Sequence, residues 1–98
     1  MKDLAQCRKE IDEIDAQMTA LFQERMQIAA DVAEYKRVSG KKVFDKQRED
    51  EKLDAVEQMA TNPYFGRGLR EMFSQIMSLS RKYQYTMLAD KGDRKSVV

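Results

Sequence analysis

The residues with the clearest capacity for chemistry are cationic, and they recur where a helix ought to be apolar. Leu4, Cys7, Ile11, Ile14, Met18, Leu21, Arg25, Ile28, Val32 and Tyr35 follow one another at alternating spacings of three and four. That is the pattern of a helical seam, and it puts Arg25 at a core position. A buried guanidinium without a partner is costly, so Arg25 calls for an anion. An acidic side chain of another helix or of a second chain would serve, and so would a bound ligand. Lys36 lies eleven residues further on, within about 20° of the same face and about 16 Å along the axis. Two long basic side chains so placed can converge on a small anion, with Ile28, Ala29 and Val32 as the floor between them. Taken alone, Lys36 reads more readily as an ordinary solvated lysine near a helix end, and its alignment with Arg25 is what raises it. Arg8 stands seventeen residues before Arg25, about 25 Å away on a straight helix. One small molecule cannot touch both from a single chain. Arg8 is thus a surface arginine, or it reaches into the site of a second subunit.

Other segments carry polar groups in ordered positions. Phe73, Met77, Ser80 and Gln84 share one helical face, which turns polar halfway along. Ser80 and Gln84 offer hydrogen bonds there, to a ligand or to another helix. Asp45, Arg48 and Glu49 stack near the start of a further segment, as a ligand site or as part of a solvated charge run. The chain has no His and no Trp, and its single Cys7 falls on the apolar seam. Cysteine–histidine dyads, the serine–histidine triad, most zinc sites and glycine-rich phosphate loops are all excluded. An enzyme with this composition would work without a histidine base, a reactive thiol or a structural metal, and no cofactor is expected.

Three helices must position these groups. The first is expected from about Asp3 to Val38, roughly 54 Å long at 1.5 Å per residue. A compact domain of this size has a radius of gyration of only about 13 Å, so a second chain is needed to cover so long a seam. Gly40, within Ser39 to Lys42, ends the helix. Asp45 is a good N-cap for a second helix reaching about Ala60, with Leu53, Val56 and Met59 as its apolar stripe. Thr61, Asn62 and Pro63 read as a turn, and Gly66 and Gly68 as a loose stretch. A third helix is expected from about Leu69 to Met87. No strand-like alternation appears, so the fold class is all-α, long–short–medium. The domain spans 1–88 and a polar tail 89–98.

Composition agrees. With 98 residues, one domain is expected, of a size that is marginal alone. Lys and Arg number 18 against 17 Asp and Glu, which gives no basic excess for nucleic acid or membrane surfaces. No apolar run approaches the length of a spanning helix. The opening MKDLAQCRKE is too charged for a signal peptide, and a cytoplasmic location is expected.

Taken together, these residues resemble the all-helical class of chorismate mutases over about Asp3 to Gln84. The first matching element is CRKEIDEIDAQMTALFQERMQIAADVAEYK, with Arg8, Asp15, Arg25 and Lys36 at the family's spacing. The second is VFDKQREDE, with Asp45, Arg48 and Glu49, and the third is FSQIMSLSRKYQ, ending in Ser80 and Gln84. The resemblance implies an intertwined homodimer with two equivalent sites, each completed by Arg8 of the partner subunit. It implies the rearrangement of chorismate to prephenate in aromatic amino-acid biosynthesis. Arg8, Arg25 and Arg48 would bind the two carboxylates, and Lys36 and Gln84 would donate to the ether oxygen. Glu49 and the backbone at Asp45 would hold the ring hydroxyl, with Ser80 assisting at a carboxylate. Arg81 and Lys82 follow Ser80 where apolar residues are common in the family.

Three rival readings share the scaffold. A lyase removing pyruvate from isochorismate would use a similar cage, but the set Asp45, Arg48, Glu49 and Gln84 favours the mutase. A metabolite-binding regulatory module would be suggested by loss of Lys36 or Gln84, and both are present. A purely structural dimer leaves Lys36, Ser80 and Gln84 without a purpose.

Overall fold

Local signals set the helix ends. In the computed structural model, which describes residues 1–90, Asp3 caps α1 (Leu4–Ser39), its carboxylate accepting from the Gln6 N–H at 2.8 Å. Lys36 and Arg37 lie in the last turn, where positive charge complements the helix dipole. Gly40 then turns into the left-handed region at φ 78° and stops the helix. Asp45 caps α2 (Lys46–Gln58) by accepting from the Arg48 N–H at 3.0 Å.

Gly40 supports a direct stability prediction. A Cβ added there meets nothing within 4 Å, so Gly40→Ala changes only the backbone conformational energy. The expected loss is about 1 kcal/mol, the cost of a left-handed alanine. A lower urea midpoint at unchanged slope and fixed protein concentration is the expected result; an unshifted midpoint counts against it.

The third helix begins earlier than its glycines suggest. Instead of a loose stretch up to Leu69, α3 covers Pro63–Asp90 and takes in both Gly66 and Gly68. Asn62 caps it, its side chain accepting from the Phe65 N–H at 2.8 Å, and Pro63 fills the first position, where its missing N–H costs nothing. Gly66 is there for close approach. A Cβ on it would lie 3.2 Å from the Glu57 carbonyl oxygen and from Glu57 Cγ, so α3 approaches the end of α2 more closely than a side chain ordinarily allows. Ala89 and Asp90, expected at the start of the tail, continue the helix. The rest of the expected tail lies outside the described residues.

Both α1 and α2 pack against α3. Arg70 of α3 ties α2 down by donating to Asp54 and Glu57 at 2.9 Å each. Those hydrogen bonds hold its guanidinium above its usual range. The core made by one chain is small: Ala29 and Ala33 of α1, Val43 of the linker, Val56 of α2, Met77 and Leu88 of α3. Only the C-terminal part of α1 contributes buried residues. Along the rest, Leu4, Ile11, Ile14, Met18 and Leu21 are 49–62% exposed. The described chain is correspondingly elongated, 57 × 25 × 20 Å with a radius of gyration of 17.0 Å. Among the described residues no helix is long and apolar enough to cross a membrane.

Candidate active site

The three helices and the α1–α2 linker line an open cavity of about 370 Å³, a size suited to a small metabolite. From α1 come Arg25, Ile28, Ala29, Val32 and Lys36, all on the face that continues the apolar seam. The linker adds Val43, and the first turns of α2 add Asp45, Arg48, Glu49 and Lys52. From α3 come Met77, Ser80, Arg81 and Gln84. Seven of the eight residues singled out from sequence thus line one cavity. The eighth, Arg8, is exposed and lies outside its walls. This is the separation that helix length required for any one chain.

The charges of the cavity are unbalanced. Five cations, Arg25, Lys36, Arg48, Lys52 and Arg81, share the walls with two carboxylates, Asp45 and Glu49. Both carboxylates are already engaged. Asp45 caps α2, and Glu49 accepts from Arg81 Nη1. Lys36 Nζ donates to the Val43 carbonyl at 2.8 Å, which fastens the linker to the end of α1 and leaves two of its three donors unused. Among the described residues the side chains of Arg25, Arg48 and Lys52 form no hydrogen bond or ion pair. Among the described residues no acidic side chain pairs with Arg25, and its guanidinium, half-buried, lines the cavity.

Polar groups at the far wall are short of partners as well. Ser80 and Gln84 are buried, each 7% exposed. Gln84 Nε2 donates to Ser80 Oγ at 3.2 Å, so their bond runs along α3 rather than between helices. Gln84 Oε1 is buried without a hydrogen-bond partner, a costly state that a ligand or a turn of the amide toward the Ser80 hydroxyl relieves. Among the described residues no group of His, Cys, Asp or Glu side chains is arranged to hold a metal ion.

Two lining cations were not among the site residues read from sequence. Lys52 sits inside the charge run of α2, which reads as a solvated face; its signal was the spacing of four from Arg48. Arg81 follows Ser80 and was visible only as a departure from the family's apolar preference. Its place in the wall depends on Glu49, 32 residues away in sequence, a pairing that only the packing of α2 on α3 creates. Lys82, the other departure, is exposed and outside the cavity.

Such an arrangement can bind a dianion, hold it folded, and present donors to an atom on which negative charge develops. A family model for chorismate mutase type II matches residues 7–85. No curated protein matches the chain.

Proposed function

The chain belongs to the chorismate mutase type II family, whose reaction is the rearrangement of chorismate to prephenate, and we propose that this reaction runs in the cavity between α1, α2 and α3. The observation that carries the assignment is the convergence of Arg25, Lys36, Arg48 and Lys52 on one cavity without an acidic partner. Arg25, Lys36 and Lys52 are half-buried and Arg48 is exposed, so a dianion seated among them meets several unneutralised positive charges at once.

The reaction is unimolecular. A carbon–oxygen bond breaks as a carbon–carbon bond forms within one molecule, and negative charge grows on the ether oxygen at the transition state. Arg25 and Arg48 bind the two carboxylates by charge-assisted hydrogen bonds, joined by Arg8 of the partner subunit. Holding both carboxylates forces the substrate into the compact conformer in which the reacting carbons meet. Lys36 and Gln84 donate to the ether oxygen, and these bonds strengthen as charge develops there. Glu49, with one oxygen on Arg81, has the other for the ring hydroxyl, with the Asp45 backbone beside it. Ser80 assists at a carboxylate and serves Gln84 as well, since its hydroxyl can accept from the amide nitrogen or donate to the amide oxygen.

A homodimer supplies what one chain lacks. The exposed stripe from Leu4 to Leu21 is too continuous for a solvated surface. An antiparallel partner would cover it and carry its own Arg8 to the open side of the cavity.

The test is an assay of chorismate disappearance on the purified protein, with the product identified by chromatography. Prephenate is the expected product. A folded protein that leaves chorismate unchanged overturns the assignment, and release of pyruvate from isochorismate would transfer it to the lyase.

A further inference from the structure

We propose that Arg81 is a positioning residue, which acts on the substrate through Glu49 and makes a carboxylate usable in a cavity built for a dianion. The inference rests on the reading above, in which Glu49 accepts the ring hydroxyl. A glutamate in such a wall has two defects. Its charge repels the substrate's own carboxylates, and its flexible side chain has no reason to hold its oxygens toward a hydroxyl.

Arg81 answers both. Its Nη1 donates to Glu49 Oε1 across the gap between α3 and α2, with the two side chains only 28% and 20% exposed. The pairing cancels the negative charge where screening by water is reduced. It also takes one oxygen and so fixes the direction of the other.

The guanidinium has a second contact. Its carbon lies 4.9 Å from the centre of the Phe44 ring, in the linker that Lys36 fastens through Val43. A guanidinium stacked on a ring and bonded at its edge keeps its plane, which a lysine ammonium would not do equally well. Stacking further keeps Arg81 from swinging into the cavity and competing with Glu49 for a substrate carboxylate. Phe44, Arg81 and Glu49 thus form one unit at the rim, spanning the linker, α3 and α2.

A cycle of Arg81→Met, Glu49→Gln and the double variant, read as kcat and KM for chorismate, tests this. Circular dichroism and sedimentation confirm fold and assembly for each protein, and Arg81→Lys serves as the conservative variant. Arg81→Met alone should raise KM about tenfold, the order expected when one side of a paired charge is removed. Arg81→Lys should recover part of that loss. In the Glu49→Gln background the same Arg81→Met change should alter KM less than twofold, because the group through which the arginine acts has no charge left to cancel. A loss undiminished by Glu49→Gln means that Arg81 touches substrate directly and overturns the proposal, as does an Arg81→Met protein with wild-type constants. A wild-type chain without turnover overturns the chorismate reading and this assignment with it; an active wild type with an additive cycle overturns this assignment alone.

Discussion

Lys36→Ala should lower kcat by about a thousandfold and Gln84→Ala by about a hundredfold, each with a smaller change in KM. A millionfold acceleration of a unimolecular reaction requires about 8 kcal/mol. In the proposed mechanism, orientation by the arginines supplies part of it and the two donors at the ether oxygen supply much of the remainder. Both belong to the transition state, because the ether oxygen of bound substrate carries little charge and that of the breaking bond carries much. Their loss therefore appears in kcat. Lys36 should have the larger effect because it brings a full charge, and because its bond to the Val43 carbonyl holds the linker carrying Phe44 and Asp45. Gln84 is buried beside Ser80, so its truncation also leaves the serine hydroxyl without its partner. The measurement is the steady-state decay of chorismate, with helical content and assembly checked for each variant. Turnover near that of the wild type in either protein, with fold intact, would remove that residue from the mechanism.

The residues differ in how much of their fate could be read from the chain. The seam from Leu4 to Tyr35 announces α1 because heptad spacing is local and no Gly or Pro interrupts it. Gly40 and Asp45 announce helix ends for equally local reasons, and the structure places both as caps, while Asp3, expected as the start of the first helix, caps it. Gly66 and Gly68 mislead. Glycine weakens a helix on average, yet here the Asn62 cap and Pro63 start the turn, and Gly66 lies close to Glu57, while at Gly68 no such contact is made. Arg25 was ambiguous by nature. Whether a core arginine meets an acid or a ligand depends on what other helices place opposite it, and none of the described residues pairs an acid with it. Lys52 and Arg81 were hidden for the same physical reason, since a cation in a charged helix looks solvated until tertiary packing encloses it. Long-range pairs such as Arg81 with Glu49 are products of packing, and no spacing rule along the chain contains them.

Arg8→Ala should abolish most activity although Arg8 lies outside the cavity of its own chain. We expect kcat/KM to fall by about a hundredfold or more, the order of losing a charge-assisted contact to a carboxylate. On the proposed shared site the protein should sediment at twice the chain mass of 11.5 kDa. Complementation distinguishes this from a local effect. When Arg8→Ala and Lys36→Ala chains are mixed in equal amounts and allowed to exchange, half the dimers contain one of each. In such a dimer the Arg8→Ala chain keeps its own Lys36 and receives an intact Arg8 from its partner, so one site is whole and the other lacks both residues. About a quarter of all sites then become competent, from two proteins that are each inactive. No geometry within a single chain gives that result, because the helical rise of about 25 Å between Arg8 and Arg25 is fixed. Exchange without recovery would mean that the arginine acts within its own subunit, and a monomer with full activity would remove the shared site altogether.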